Sequence, residues 1–177
     1  MDGNQFISKA AEYASFGPEK KILEIGPGYG RLLRACLDLG IPFARYHGLD
    51  ISEEVCNHLR QQFPDENVTF SVGDVEKASF DAAFDVLLSS LTFKHLFPSI
   101  ENALGNLVDA INPDGVLCFD LREGEFQEFG VVREFMRGYT RPEVVEILER
   151  TGFEHVAFDQ VEHDPQHTRL LVVARKP

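Results

Sequence analysis

Short apolar runs alternate with segments of helical periodicity along the chain. Within residues 1–17 apolar side chains recur at helical spacing, and Gly17-Pro18 ends the segment, so we predict an N-terminal helix. The apolar run Lys21–Ile25 predicts a strand, and the periodicity of Arg31–Leu39 predicts a helix after a glycine-rich turn. The same order of strand, turn and helix is expected again over Tyr46–Phe63, with Ser52 as the N-cap of the helix.

Three further apolar runs continue the alternation. Val68–Val72 and Phe84–Ser89 predict the third and fourth strands, and the continuous apolar character of the latter is typical of a strand buried on both faces. A helix is expected over Ser99–Ile111, followed by a turn at Asn112–Gly115 and a fifth strand at Val116–Leu121. This order predicts a mostly parallel sheet with helices on both faces.

The last third of the chain changes character. Residues 122–139 have no clean period and are rich in Phe and Glu, so we expect an irregular insert there. Thr140 is the expected N-cap of a helix that ends near Thr151-Gly152. Two closing strands, Phe153–Phe158 and Arg169–Ala174, are separated by a turn without a helix, which predicts an antiparallel hairpin at one edge of the sheet.

The composition is that of an ordinary globular domain. With 177 residues, of which 44% are hydrophobic, the sequence predicts one domain over residues 1–177. A formal net charge of -12 disfavours nucleic acid as a partner, because polyanions are repelled at long range. Met1–Phe16 carries acidic and polar residues instead of the basic start and apolar core of a signal peptide. We therefore expect a cytoplasmic protein that does not associate with membranes.

The cysteines carry no site signature. Cys36, Cys56 and Cys118 are widely separated and form no CxxC pair. This spacing indicates neither a disulfide framework nor a zinc site. We expect three buried reduced thiols and no bound metal.

Glycines and carboxylates coincide with the predicted strand ends. Gly26, Gly28 and Gly30 allow the backbone to turn tightly and to approach a ligand at a helix N-terminus. Asp50 ends the second strand, where a carboxylate can accept hydrogen bonds from both hydroxyls of a ribose, although it could also cap the next helix. Asp74 follows the third strand and could accept from an amine such as that of adenine, or be an ordinary turn aspartate.

The residues Ile22–Gly30, which read ILEIGPGYG, resemble the first motif of class I S-adenosylmethionine-dependent methyltransferases. The resemblance covers the whole chain, since the seven strands of that family, including the final antiparallel hairpin, correspond to the predicted elements. It implies a Rossmann-like three-layer α/β sandwich with a seven-stranded, mostly parallel sheet and one antiparallel edge strand. In that family Glu24 would organise the loop, Asp50 would bind the ribose and Asp74 the adenine. The implied S-adenosylmethionine site comprises Glu24, Gly26, Pro27, Gly28, Gly30, Asp50, Ile51, Asp74, Val75, Ser89 and Ser90.

Two alternatives remain open at this point. A nicotinamide-dependent oxidoreductase would need GxGxxG or GxGxxA, and both registers of the loop fail, with Arg31 and Leu33 at the sixth position. The second alternative is a protein that binds S-adenosylmethionine without catalysis, because a fold does not dictate a function.

Methyl transfer requires a nucleophile aligned with the methyl group, and a weakly acidic nucleophile also needs a base. His95 follows the fourth strand and is the candidate base, although a histidine there can equally cap a helix or support the pocket. Asp120–Glu123 at the end of the fifth strand reads more readily as a solvated ion-pair cluster than as a substrate site. Candidate substrate contacts, which core packing would explain equally well, are Tyr13, Phe93, Arg122 and Tyr139.

The acceptor is predicted by exclusion. No Asn-Pro-Pro-Tyr or Asp-Pro-Pro-Tyr tetrapeptide follows the fourth strand, and the strand end offers no acidic pair for Mg²⁺. We expect transfer to an oxygen or nitrogen of a small molecule, with a protein side chain as the second class.

Overall fold

The computed structural model describes residues 2–81, 83–124, 137–164 and 167–177, with the backbone only at 161–164 and 167–168. The helices are α1 (Gly3–Ala10), α2 (Arg31–Asp38), α3 (Glu53–Gln62), α4 (Glu101–Ala110) and α5 (Arg141–Thr151), with a 3₁₀ helix at Phe93–His95. The strands are β1 (Lys21–Ile25), β2 (Arg45–Asp50), β3 (Val68–Val72), β4 (Phe84–Ser89), β5 (Ile111–Glu123), β6 (Gly138–Tyr139), β7 (Glu154–Asp164) and β8 (His167–Arg175).

All of these strands belong to one sheet in the order β3-β2-β1-β4-β5-β8-β7, and the two-residue β6 pairs with the end of β5. The pairs formed among β1 to β6 are all parallel, whereas β8 is antiparallel to both β5 and β7. The predicted mixed α/β fold with a closing antiparallel hairpin is therefore confirmed. Within that hairpin β7 is the outermost strand, and the antiparallel β8 lies one position inward.

Apolar side chains on the two faces of the sheet form separate cores, which makes three layers. One face packs on the first three helices through residues such as Phe6, Leu32 and Leu59. The other face packs on α4 and α5 through residues such as Leu107 and Leu148. The three cysteines are buried and free, as expected.

Local capping signals in the sequence correctly predicted where α3 and α5 begin. The Ser52 side chain accepts from the backbone N–H of Val55 at the start of α3, and that of Thr140 accepts from Glu143 at the start of α5. Gly152 ends α5 with a left-handed φ of 91°. Polar side-chain oxygens and a C-terminal glycine satisfy the backbone groups that a helix end leaves free.

The first helix is shorter than the predicted segment 1–17. It ends at Ala10, and the chain continues in tight turns in which the N–H of Tyr13 donates to the carbonyl of Ala10 at 3.1 Å. This path brings Tyr13 beside β7, where its hydroxyl donates to Asp159 at 3.1 Å. A contact with the last hairpin thus replaces the final turn of the predicted helix.

The region of β5 departs most from the sequence pattern. The predicted turn at 112–115 lies inside the strand as a register shift between the pairs Phe84–Ile111 and Val86–Val116. At its other end β5 continues to Glu123 and pairs with β6, so the described ends of the predicted irregular segment 122–139 are strands. Residues 125–136 of that segment lie outside the described residues, and the single-domain assignment stays a prediction. None of the helices in the described ranges has the length and apolar character needed to cross a membrane.

Candidate functional site

A cavity of about 650 Å³ opens at the carboxyl ends of the first strands of the sheet. In open parallel sheets ligands bind at this edge, where the strand order reverses, and here β1 lies between β2 and β4. The lining residues are Glu24, Ile25, Gly26, Pro27, Gly28, Tyr29, Arg31, Leu49, Asp50, Ile51, Gly73, Asp74, Val75, Ser90, Leu91, Thr92, His95 and Leu96.

The loop between β1 and α2 forms one wall of the cavity. Gly28 has a φ of 53°, and a Cβ atom at this position would have no atom within 4 Å, so the backbone faces open space. Gly30, with a φ of 78°, is the N-cap of α2, and a Cβ there would lie 2.6 Å from the ring of Phe63. Position 30 therefore needs glycine for close packing, whereas glycine at position 28 leaves the backbone exposed to the cavity.

Two carboxylates lie at the far side of the loop. Asp50 accepts hydrogen bonds from the backbone N–H groups of Gly28 at 3.3 Å and Ser52 at 3.0 Å, which tie its carboxylate to the loop and to the start of α3. Asp74 pairs with the Lys77 ammonium at 2.9 Å, and this hydrogen bond is the main cause that lowers the pKa of Asp74. Both side chains thus stand at the cavity wall as hydrogen-bond acceptors.

Glu24 is a buried acid beneath the loop. Its side chain accepts a hydrogen bond of 2.5 Å from the hydroxyl of Tyr46 on the neighbouring strand. Burial raises the pKa of Glu24 to about 7, although the Tyr46 hydrogen bond and the nearby Arg31 charge act in the opposite direction. The carboxyl group therefore titrates near neutral pH, and its contacts connect β1 to β2 below the cavity.

A buried polar cluster lies at the end of β4. Arg31 Nη2 donates to Ser90 Oγ at 2.6 Å, and Ser90 Oγ donates to Asp120 Oδ2 at 2.5 Å. The other carboxylate oxygen of Asp120 accepts from the backbone N–H of Leu91 at 2.8 Å, and Arg169 Nη2 lies 3.3 Å from Oδ2. Since Asp120 is only 2% exposed, the interpretation of this residue as part of a solvated ion-pair cluster was wrong.

Most residues expected to bind the cofactor come together in this cavity. All eleven lie in the described part of the chain, and nine of them line the cavity. The exceptions are Gly30, which packs behind the loop, and Ser89, whose hydroxyl donates to the carbonyl of Ile25 at 3.0 Å. The contact of each residue with a cofactor stays a prediction.

The candidate residues for catalysis and substrate binding are less well grouped. His95 lines the cavity, whereas Phe93 and Tyr139 are fully buried. Tyr139 accepts a hydrogen bond from the N–H of Ile100 at 3.1 Å, and Tyr13 is engaged with β7. Arg122 pairs along the sheet with Arg169 and Gly138 and does not line the cavity. The structure does not bring these four proposed substrate contacts to the cavity wall.

Several site residues were not found from the sequence. Arg31 directly follows the glycine loop, so its place at the first turn of α2 was a usable signal. Arg169 is a lone charge at the start of the apolar run Leu170–Ala174, which also marked it as unusual. Tyr46 gave no comparable signal, because only the pairing of β1 with β2 brings its hydroxyl to Glu24.

Known proteins share both the sequence pattern and this fold. Residues 23–119 match the family model described as a methyltransferase domain. The malonyl-[acyl-carrier protein] O-methyltransferase of Acetivibrio thermocellus is 34% identical over 98 residues, which are 55% of this chain and 34% of that protein. The S-adenosylmethionine-dependent methyltransferase from Mesorhizobium loti has a TM-score of 0.79 at 18% identity, with 98% of both chains covered.

A further solved structure is the glycopeptide N-methyltransferase MtfA complexed with S-adenosyl-L-homocysteine. It has a TM-score of 0.77 at 19% identity and covers 99% of this chain and 87% of its own. At such identities the two structures are similar to this chain in fold. The family model covers more than half of the sequence, from β1 through β5, whereas the matched segment spans about a third of the Acetivibrio protein. The chain belongs to the class I S-adenosylmethionine-dependent methyltransferase family.

Proposed function

We propose that this protein transfers a methyl group from S-adenosylmethionine to an oxygen or nitrogen of a small-molecule acceptor. The observation that carries the proposal is the single cavity shared by the glycine loop, Asp50 and Asp74. Its volume of about 650 Å³ lies within the range usual for pockets that enclose small ligands.

The polar groups of the cavity suit the nucleoside end of the cofactor. A carboxylate has about four acceptor positions, so Asp50 can bind two ribose hydroxyls and still hold Gly28 and Ser52. Asp74 would accept from the adenine amine, and Ile51 and Val75, which line the same cavity, would offer apolar contact.

The opposite end of the cavity suits a charged amino-acid moiety. Arg31 lines the cavity, and its Nη1 atom is buried without a hydrogen-bond partner in the described part of the chain. A buried guanidinium N–H group without an acceptor is unfavourable in free energy, and the carboxylate of a bound amino-acid moiety would accept its hydrogen bond. The backbone of the glycine loop lies beside it.

When bound, S-adenosylmethionine supplies a methyl group on a sulfonium sulfur with a good neutral leaving group. The chain must then align the acceptor and exclude water. Leu91, Thr92 and Leu96 also line the cavity and supply mainly apolar surface. His95 lines the same cavity, where it would take the proton of a weakly acidic acceptor.

We infer the small-molecule class of acceptor from the size of the cavity. The name of the Acetivibrio relative specifies a malonyl-[acyl-carrier protein] acceptor and an oxygen as the methylated atom. The match with that relative covers 55% of this chain, so the acceptor is not transferred with it. A malonyl thioester is accordingly one member of the acceptor panel, beside free carboxylates, phenols and amines. A protein side chain is the second class.

We place the protein in the cytoplasm. Three buried cysteines remain free thiols, which suits a reducing compartment. The net charge of -12 argues against nucleic acid as a substrate.

Calorimetric titration with S-adenosylmethionine, S-adenosylhomocysteine and NADH tests the cofactor. We expect micromolar binding of both adenosyl ligands, weakened roughly tenfold or more in Asp50→Asn because a charged acceptor is lost from the ribose site. Asp38→Ala, an exposed acid of α2, is the matched control and is expected to bind as the wild type does. Binding of NADH alone would contradict the proposal.

Acceptors are then screened by the formation of S-adenosylhomocysteine, which also separates an enzyme from a protein that only binds the cofactor. With a turned-over acceptor, His95→Ala is expected to lower the rate most at low pH, where the acceptor itself is protonated. A wild-type rate for this variant between about pH 6 and 9 would remove the proton-transfer role.

A further inference from the structure

Leu91 has an unusual backbone conformation at the wall of the cavity. Its φ of 67° lies in the left-handed region, which a leucine rarely adopts because its Cβ crowds the backbone. Asp114 is the other non-glycine residue of this kind in the described ranges, and aspartate tolerates this region better. The strain at Leu91 persists only if its surroundings hold it.

One buried carboxylate holds the strained turn. Asp120 Oδ1 accepts from the N–H of Leu91 at 2.8 Å, and Oδ2 accepts from the hydroxyl of Ser90 at 2.5 Å. Asp120 is 2% exposed and lies at the end of β5, a neighbour of β4 in the sheet. Two hydrogen bonds from adjacent residues to one buried side chain can offset the strain of the turn.

Two arginines surround this carboxylate. Arg169 on β8 lies 3.3 Å from Asp120 Oδ2, and Arg31 donates to the same hydroxyl of Ser90 that binds Asp120. A buried acid needs such compensation to remain charged. The turn is therefore fixed from β5, from β8 and from α2 together.

The turn adjoins the glycine loop at the cavity. Thr92, the next residue, lies against Gly26, with its hydroxyl 3.4 Å from the Gly26 carbonyl oxygen. Ser90, Leu91 and Thr92 all line the cavity, whereas Asp120 does not. The shape of this part of the cavity consequently depends on the conformation that Asp120 imposes on Leu91.

We propose that Asp120 is a positioning residue that holds the Ser90–Leu91 turn in its strained conformation and so shapes the end of the cavity that receives the methionine part of the cofactor. The inference rests on the proposed function. Asp120 acts through Ser90 and Leu91 and has no contact with the ligand itself.

The test compares two ligands that differ only at that end. S-adenosylhomocysteine carries the amino-acid moiety, and 5′-methylthioadenosine lacks it. In Asp120→Asn we expect the affinity for S-adenosylhomocysteine to fall at least about tenfold and that for 5′-methylthioadenosine to stay within about twofold. Ser90→Ala, which removes one of the two contacts and keeps the charge, is expected to give a smaller loss of the same pattern.

Glycine at position 91 provides a rescue that a merely stabilising role would not show. Because glycine adopts a positive φ without strain, the turn in a Leu91→Gly background no longer needs the carboxylate. Adding Asp120→Asn to Leu91→Gly is therefore expected to weaken S-adenosylhomocysteine binding far less than it does in the wild type. Arg150→Lys, an exposed residue of α5, serves as the control.

The outcomes separate this inference from the proposed function. If the wild type binds neither nucleoside ligand, the proposed function fails and the inference falls with it. If the wild type binds both and Asp120→Asn weakens both equally or neither, only the positioning role is overturned. The positioning role is likewise overturned if Asp120→Asn weakens S-adenosylhomocysteine binding equally in the wild type and in the Leu91→Gly background. Thermal unfolding of each variant, measured without ligand, identifies any variant that is not folded.

Discussion

Single residues at this site combine burial with polarity. Glu24 lies on the central strand β1, where its carboxyl group is almost fully buried and its closest polar partner is the hydroxyl of Tyr46. Removal from water disfavours the charged form, so the pKa of Glu24 rises to about 7. The folded state thus holds a proton that the unfolded chain would already have released.

This proton predicts how stability depends on pH. Between about pH 4.5, the ordinary value for Glu24, and about pH 7 the folded state binds more protons than the unfolded state, so stability falls as pH rises. The contribution is complete below that window and lost above it. In Glu24→Gln this part of the dependence is absent, and the difference in unfolding free energy between variant and wild type should change by on the order of 3 kcal/mol across the window.

Urea denaturation at several pH values from about 5 to 8 measures the effect of Glu24→Gln. Glu66→Gln, an exposed glutamate in the turn before β3, is the control and should follow the wild type. Parallel curves for Glu24→Gln and the wild type would show that Glu24 titrates at its ordinary pKa in the folded protein.

At the scale of elements, two glycines at the two ends of α2 allow an effect on stability to be distinguished from an effect on binding. One lies in the loop between β1 and α2, and the other follows α2. Gly28 and Gly40 both have positive φ, 53° and 64°, and a Cβ at either position would meet no atom within 4 Å. Gly28 lines the cavity, whereas Gly40 is an exposed residue after α2. The two positions share the same backbone strain and differ in their relation to the site.

Substitution of either glycine by alanine is therefore expected to lower stability, and only Gly28→Ala is expected to weaken binding as well. Each variant should lose roughly 1 kcal/mol of stability, because alanine is strained at positive φ. Gly28→Ala should also weaken S-adenosylhomocysteine binding about tenfold or more, since its methyl group occupies space in the cavity. Calorimetry and urea denaturation on both variants provide the comparison. Equal affinities in Gly28→Ala and Gly40→Ala would show that the loop backbone does not approach the ligand.

What the sequence predicted at this scale depended on local signals. The caps Ser52 and Thr140 act within one helical turn, so the start of each helix could be identified from neighbouring residues. The pairing of β5 with β6 could not be identified in this way. It joins Glu123 to Tyr139, and the hydrophobic pattern of the sequence between them is irregular. Strand ends also gave the positions of Asp50 and Asp74, since parallel strands finish at one edge.

The buried cluster shows why the rest of the site was not predicted. Asp120 looked solvated in its own sequence neighbourhood, beside Arg122 and Glu123. Its partners are Ser90 and Leu91, directly after β4, and Arg169 on β8, which is 49 residues further along the chain. Burial of a charged side chain is decided by such distant elements, and hydrophobic periodicity carries no information about them.

At the scale of the whole molecule, the first and last elements lie against each other. α1 packs on α2, and its residues Phe6 and Ile7 belong to the same core as Val173 of β8. Just after this helix, Tyr13 reaches β7 and donates to Asp159. Lys9 lies 3.8 Å from the same carboxylate. The contact joins the two ends of the chain on the side of the sheet away from Asp50 and Asp74.

Removal of the Tyr13 hydroxyl tests whether this residue is structural or binds substrate. Tyr13→Phe loses one partly buried hydrogen bond to a carboxylate, so we expect a loss of roughly 1 kcal/mol in unfolding free energy. Tyr13 does not line the cavity. The Tyr13→Phe variant should therefore bind S-adenosylhomocysteine and turn over any identified acceptor as the wild type does. Tyr29→Phe is the control for stability, since this tyrosine is 73% exposed. An unchanged stability together with a raised KM for the acceptor would instead place Tyr13 at the acceptor site, which would require the N-terminal segment to move toward the cavity.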